Sequence, residues 1–513
     1  MIDLAGRMVM PGIIDSHTHF LAGSQALAWV NLEGIANTQK IKEGIRAYSA
    51  AHPKLPWVRG GGWQYGIFPP SGLPTKELLD EIVPDRPAAL DSYDLHSLWV
   101  NSRALELAGI TGETPDPVEN GILVGTIVRD PKTGEPTGLL KEEAMALVRR
   151  AMPEPPREEE LSALRAGMAE ANRLGVTAVV NASGDVHEME LYDELHRRGQ
   201  LTVRTTTSFA QIAVRHRMTP EELESFEQAR RRFHDDWVRA GLIKFFADGV
   251  VETHSAAMLE PYADDPQLHG FTNYAPEEFQ KFVLELDRRG FQIMTHAIGN
   301  RAVRMTLDAY EAARTSNGMR DRRFRIEHIE TIHPLDISRF GPLGVIASMQ
   351  PYHLCIDGCP NEGGVWARNL GPERLPFAFA WHDLAASGAL LALGSDWPVA
   401  SFNPFLAIQT AVTRQDLKGR PPEGWYGKQK LTLDQALAGY TRNAAYAAFL
   451  EKRIGSLEPG KLADLIVLSQ NLFEILPLET GKTKVELTIV GGKIVYDTLP
   501  AATETPKRLT MTR

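Results

Sequence analysis

The chain has 513 residues, 43% of them hydrophobic, and a formal net charge of -10 at pH 7. That composition supports a large buried core, and the acidic balance without a long Lys/Arg run offers no electrostatic footprint for nucleic acid. No run approaches the roughly 18 apolar residues of a membrane span, and two cysteines, Cys355 and Cys359, are too few for a disulfide framework. With no apolar signal segment at the start, the expectation is a cytoplasmic, reducing setting, one local bridge between the cysteines remaining open.

In chain order, the first apolar run, Gly12 to Asp15, leads into Ser16-His17-Thr18-His19. Side chains at i and i+2 of a strand share a face, so the two imidazoles are aimed at one point. About 155 residues precede the next strand, far more than one crossover requires. This stretch, about 21–155, holds Trp57 to Trp63, Ala88 to Tyr93, Asn101 to Gly109 and Gly121 to Leu140. It reads as an inserted subdomain of strands and short helices folded over the mouth of the main fold.

Arg157 to Leu174 follows as a helix closed by Gly175, and then come strands Val176 to Asn181 and Val203 to Ser208. Thr219-Pro220-Glu221-Glu222 is a capping box with proline at the first helical position. Four further runs end near polar groups: Leu242 to Phe246 holds Lys244, Phe291 to Thr295 meets His296, Phe324 to Glu327 meets His328, and Leu390 to Leu393 precedes Asp396. Val345 to Met349 is a run with no such ligand at its end. Thr432-Leu-Asp-Gln435 opens an Ala-rich helix to about Leu450, and short runs from Gly455 to Leu468 and Val485 to Tyr496 read as a small antiparallel sheet.

Eight buried strands alternating with helices define an α/β fold, a (β/α)8 TIM-like barrel, whose chemistry sits at the C-terminal ends of the strands. His296 and His328 are 32 residues apart, one βα unit, and His328 and Asp396 are 68 apart, two units. Strands one, four, five, six and eight therefore supply His17, His19, Lys244, His296, His328 and Asp396. Neutral imidazoles with a carboxylate bind zinc or a similar divalent ion, one or two of them, and leave a position for water. A protonated ammonium would repel such a cation, so Lys244 belongs there only if deprotonated or N-carboxylated to a bridging anion. Water bound there falls to a pKa of about 7, and Asp396 can take its proton and deliver it to a leaving amine.

The same residues resemble the amidohydrolase superfamily, specifically amidohydrolase family 3, the YtcJ-like branch. The resemblance covers nearly the whole chain. It rests on Pro11-Gly-Ile-Ile-Asp-Ser-His-Thr-His-Phe20, Asp94-Leu-His-Ser-Leu-Trp-Val-Asn-Ser-Arg-Ala-Leu105, Ile243-Lys-Phe-Phe-Ala-Asp-Gly249 and Thr295-His-Ala-Ile-Gly-Asn300. Arg325-Ile-Glu-His-Ile329, Met349-Gln-Pro-Tyr-His353 and Gly394-Ser-Asp-Trp-Pro398 complete it. It implies a distorted barrel, a metal centre usually holding zinc, and hydrolysis of non-peptide carbon-nitrogen bonds. By position His17, His19, Lys244, His296 and His328 resemble metal ligands, and Asp396 a ligand and general base. Such proteins open with about 50 residues forming half of a small β-sandwich. Here residues 1–10 correspond to its last strand, 11–450 to the barrel and 451–513 to the C-terminal half, which leaves an apparently incomplete sandwich with exposed edges or a misassigned start codon. Gly249-Val-Val-Glu-Thr-His-Ser-Ala256 departs from the usual Gly-Ser-Leu-Gly-Ser-Arg-Thr-Ala, so Glu252 and His254 are expected to alter substrate contacts.

Around the ligands, His96, Asn101, His353, Trp63 and Trp397 are substrate-binding candidates, and Glu142 is a further one. Asp15 is expected to orient a histidine or its strand. Helix capping near Asn101 is assigned to Ser102. The expected partner is a small molecule, with no nucleic acid or membrane and with homo-oligomerisation open. The leading function is metal-dependent hydrolysis of an amide-type bond. The alternatives are attack on an ester, lactone or other carbonyl, an isomerisation, or a non-catalytic metal-binding paralogue.

Overall fold

A computed structural model describes residues 4, 6–69, 72–93, 95–119, 122–210, 218–355, 359 and 364–499. Eight parallel strands form one sheet, numbered here along the chain: β1 Ile13–Thr18, β2 Val176–Gly184, β3 Arg204–Ala210, β4 Val238–Phe246, β5 Gln292–Ala297, β6 Arg325–His328, β7 Ile346–Met349 and β8 Leu391–Leu393. Their order in space is their order in sequence. The end of β1 closes the ring against the segment after β8, through a parallel bridge from Thr18 to Trp397 and bonds from Asp396 N to His17 O and His19 N to Trp397 O, both 2.7 Å.

Because helices cover the outside, these strands are buried on both faces and read as continuous apolar runs. The alternation is still present. Ile243, Ile293, Ile326 and Ala347 join the core under the helices, whereas Leu242, Met294, Ile346 and Ala392 face the barrel interior. The inward face then turns polar toward the mouth, since ladder pairing aligns Lys244 with Met294, His296 with Glu327 and Glu327 with Ser348. Ala444, Ala445 and Ala448 pack with Ile14, Ala178 and Val180 in the interior cluster that closes the bottom of the barrel.

Both capping boxes form, at Thr219/Glu222 and Thr432/Gln435. The second helix is shorter than expected: it stops at Gly439 and resumes at Arg442–Ala447. Gly439 lies so close to Leu393 that a Cβ would sit 2.5 Å from Leu393 Cγ, and the carbonyl of Tyr440 accepts from Ile14 N at 2.8 Å. The break lets the chain seal strand β1.

The insertion builds a six-stranded sheet in the order Val30–Asn31, Val58–Trp63, Ala88–Ser92, Ser97–Val100, Pro136–Glu142, Gly125–Arg129, parallel among the first three and antiparallel thereafter. It encloses apolar clusters of its own. At the other end, Val9–Pro11, Leu465–Leu468, Val485–Val490 and Lys493–Asp497 form one antiparallel sheet. Among the described residues this is a single layer; residues 500–513 of the expected tail lie outside them. It is tied to the barrel by the buried pair Arg204–Asp464, at 2.6 and 3.0 Å, and by Gly491 N donating to Asp464 at 2.7 Å. Cys355 and Cys359 are bonded to each other, which is the local bridge that the sequence left open, with their Cα atoms 4.1 Å apart. Among the described residues no helix is long and apolar enough to cross a membrane.

Candidate metal centre

Strand β1 has to point both Ile14 and His17 inward, which an unbroken two-residue alternation forbids. Its pairing with β2 shifts register between Val176 and Ala178 and again between Val179 and Asn181, and this irregularity re-aims the His-Thr-His segment. Asp15 holds it there, its Oδ1 accepting from His17 N at 3.2 Å and Ser395 N at 2.9 Å. Asp15 thus joins the ends of β1 and β8 and holds the strand by its backbone. Burial pushes its carboxyl up to about 7.

The imidazole of His17 is oriented instead by Glu327. His17 Nδ1 lies 2.5 Å from Glu327 Oε2, both side chains are fully buried, and Arg325 grips the same carboxylate at 2.6 and 3.0 Å. Arg325 also donates to Ser16 O and Ser348 Oγ, each at 2.6 Å. Burial opposes the charge on Glu327, but Arg325 and His17 outweigh it and hold the carboxyl below its ordinary range. An anion there accepts a hydrogen bond from Nδ1–H, which leaves the Nε2 lone pair free to face the centre of the site.

Four strand ends converge around Asp396. Its Oδ1 lies 3.0 Å from His19 Nε2 and 3.4 Å from His17 Nε2, and its Oδ2 lies 3.5 Å from His353 Nε2 and 3.9 Å from His328 Nδ1. The ring of His328 is centred 4.9 Å from that of His17 and 4.6 Å from that of His296. Asp396 and His328 both adopt left-handed backbone, with φ of 62° and 73°. Such conformations cost of order 1–3 kcal/mol for non-glycine residues and concentrate at functional sites. His296 Nε2 faces Gly249 O at 3.2 Å. Lys244 is fully buried, its ammonium 4.6 Å from the Phe246 ring centre.

Burial, reinforced by the Lys244 charge, lowers His17 to about 4 and His296 to about 3, and burial lowers His328 strongly as well. These imidazoles are neutral at pH 7, the state in which they donate a lone pair. Burial also brings Lys244 down to about 8, against the pull of Glu327 and Asp396. Asp396 stays ionised: burial opposes its charge, and His17 and His19 overcome that and hold it well below its usual value.

His17 Nε2 and His328 Nδ1 are buried without a hydrogen-bond partner, and ligand atoms of His17, His328 and Asp396 lie within 4.8 Å of one another; Lys244 Nζ is also unpartnered, and offers a lone pair only once it has lost its proton. Orphaned donors converging in this way fit a divalent cation, since buried polar groups otherwise find partners.

The outer candidates divide. His353 joins the cluster, stacked on His328 with ring centres 5.9 Å apart. His96 reaches the mouth from the insertion, near enough to His296 to depress that group further, and bonds Glu142 at 3.0 Å. The structure gives the others these surroundings. Asn101 caps the helix Ser102–Leu107 by accepting from Ala104 N and also bonds Ala88 N, Val83 O and Arg86 O, so its amide is spent within the insertion. Ser102, expected as the cap, bonds Asp80. Trp63 lies in the insertion core with its indole N–H on Leu90 O, and Trp397, buried beside the end of β1, stacks on Phe402 with ring centres 4.5 Å apart. His254 pairs with Asp264 at 3.0 Å.

Arg325, Glu327 and Asp248 were missed. Asp248 accepts from Ala257, Ile298 and Gly299 N–H groups at 2.8–3.0 Å, pinning the loop after β4 to the helix after β5. The signal for Glu327 was present: Arg325 and Glu327 stand at i and i+2 inside a buried run, so they share the inward face.

The barrel and this histidine–carboxylate cluster define the class, that of the metal-dependent hydrolases. The amidohydrolase family model matches residues 1–496, and the chain belongs to that family. It is 36% identical to Protein LONG AFTER FAR-RED 3 of Arabidopsis thaliana over 96% of this chain and 83% of that protein. It is 30% identical to the putative amidohydrolase YtcJ of Bacillus subtilis, and 28% identical to an N-substituted formamide deformylase of Arthrobacter pascens, each over 97% of this chain and 90% of the relative. The fold matches an uncharacterized metal-dependent hydrolase of Pyrococcus horikoshii with a TM-score of 0.73 and 24% identity, over 93% of this chain and 89% of that one.

Proposed function

We propose that this chain hydrolyses a non-peptide carbon-nitrogen bond, of amide or formamide type, in a small molecule. The observation that carries the reading is the set of unpartnered ligand atoms around an ionised Asp396. His17, His19, His296, His328 and Asp396 would hold one or two divalent ions, zinc first among them, with Lys244 as a carboxylated bridge. A bound ion supplies a water acidic enough to attack at neutral pH and polarises the substrate carbonyl.

The chain's own groups do the rest. Asp396 accepts the proton of the attacking water and returns it to the departing nitrogen, and the contacts of its carboxylate with His17, His19 and His353 keep it in one position. His353, beside Asp396 Oδ2, is placed to donate to the oxygen that becomes negative. His96 and the insertion cover the mouth. The name of the formamide deformylase relative supports an amide-type bond.

The test is turnover of secondary amides, N-substituted formamides and cyclic amides by zinc-loaded protein, with products identified by mass. Addition of one water is expected, with Asp396→Asn slower by about 10²- to 10⁴-fold. Undiminished turnover by that variant would remove Asp396 as the base.

A further inference from the structure

Gln350 is 2% exposed, and neither its Oε1 nor its Nε2 has a hydrogen-bond partner. A buried amide left unpaired forfeits its hydration without recompense, so native structures seldom leave both ends idle. Gln292, which also faces the interior, has one end engaged and one not: its Nε2 donates to Arg323 O at 2.6 Å and Ala447 O at 2.9 Å while its Oε1 is unpartnered, whereas both ends of Gln350 are idle.

The register says where the amide points. Ser348 faces the interior, because it receives a hydrogen bond from Arg325 and is paired with Glu327. Two residues on, Gln350 shares that face, about 7 Å nearer the mouth. Strand β7 lies between β6, which ends at His328, and β8, which leads into Asp396. The ladder continues past Met349, whose carbonyl accepts from Gly394 N at 3.1 Å, and His353 N donates to Gln350 O at 3.1 Å. Gln350 thus stands at the root of the turn that sets His353 beside Asp396, flanked on both sides by strand ends that carry site residues.

We propose that Gln350 is a specificity-determining residue that receives the substrate's own amide: its Nε2 donates to a substrate carbonyl and its Oε1 accepts a substrate N–H. Resting on the reading of this mouth as a carbon-nitrogen hydrolase site, this narrows the substrate class to secondary or unsubstituted amides and formamides. Esters and tertiary amides offer no N–H and leave Oε1 unpaired. A polar group built to pair with a substrate donor discriminates against analogues lacking it far more strongly than an apolar wall does.

The experiment compares wild type with Gln350→Met, which keeps the volume and removes both hydrogen-bonding atoms. Zinc-loaded proteins are titrated calorimetrically with an N-alkylformamide and with the alkyl formate of the same chain, and thermal midpoints are recorded without metal. Wild type is expected to bind the formamide about tenfold or more tightly than the formate, with the preference collapsing to within about twofold in the variant. The variant should melt no lower than wild type, because an unpaired amide has been removed. A lower midpoint would make Gln350 a structural residue and overturn the proposal, as would equal binding of the two probes by wild type or a preference that survives in the variant. Selective binding without turnover would instead sink the hydrolase reading and leave the assignment of Gln350 standing.

Discussion

Replacing Glu327 by Gln tests the support beneath His17. The change keeps the shape and removes the charge that holds the Nδ1 proton and balances Arg325, all with no exposed side-chain surface. Arg325 retains Ser16 O and Ser348 Oγ, so it is not stripped of partners. Removing one member of a buried pair costs about 3–5 kcal/mol, and the surviving contacts place this case near about 3. Lost orientation of a ligand imidazole weakens metal binding about 10- to 100-fold. The assay is zinc affinity by chelator competition together with denaturant unfolding of the metal-free protein, beside Ser348→Ala, which removes a partner of Arg325 without touching Glu327. The pH dependence has a definite sign. A carboxyl lowered in the folded state contributes fully above its unfolded pKa of about 4.3 and loses that contribution as pH falls toward the folded value, so the stability gap between wild type and variant should narrow below about pH 4. Zinc affinity and stability within twofold and about 0.5 kcal/mol of wild type at pH 7 would refute the role assigned to Glu327.

Asp464→Ala strands the buried Arg204 and should destabilise the protein by about 3–5 kcal/mol, read by urea unfolding; a loss under about 1 would mean that the pair does not tie the C-terminal sheet to the barrel. Asn101→Ala removes a cap and orphans the buried Ala88 N–H, so about 2–3 kcal/mol should be lost with KM unchanged; a raised KM at full stability would return Asn101 to the substrate. Asp15→Asn keeps an acceptor for His17 N and Ser395 N and removes the charge. Since the folded carboxyl sits near 7, above its unfolded value, its contribution is full at low pH and lost as pH rises through 7. Metal-free wild type should therefore gain on the variant by about 1.4 kcal/mol per pH unit between pH 7 and 5, and a flat difference would refute the burial assigned to Asp15.

What could be read from the residues alone was whatever is local in the chain. A parallel strand buried on both faces is a short apolar run, and a strand that ends at the mouth carries its polar residue at a fixed place, which is why His17, His296, His328 and Asp396 were visible together with their order around the barrel. What was not visible depended on neighbours across strands. Glu327 stands one residue from His328 in sequence, yet its role comes from β1, 310 residues away, brought to 2.5 Å by the closure of the sheet. Asp15 was in plain view, and holding its strand was one of the two roles expected of it; that Ser395 N, 380 residues away, would be its second partner came only from the closure of the sheet. Trp63 and Asn101 were placed at the mouth because the insertion was expected to cover it. The insertion, however, has to satisfy its own core and its own helix ends first, and the indole N–H of Trp63 and the amide of Asn101 are consumed there. The residues of the insertion left for the mouth are therefore those that its own fold does not need, and His96 beside Glu142 is the one whose charge reaches His296. Gln350 completes the same logic from the barrel side: a polar group that folding leaves unpaired, at a strand end flanked by the proposed ligands, is the group we assign to something that binds.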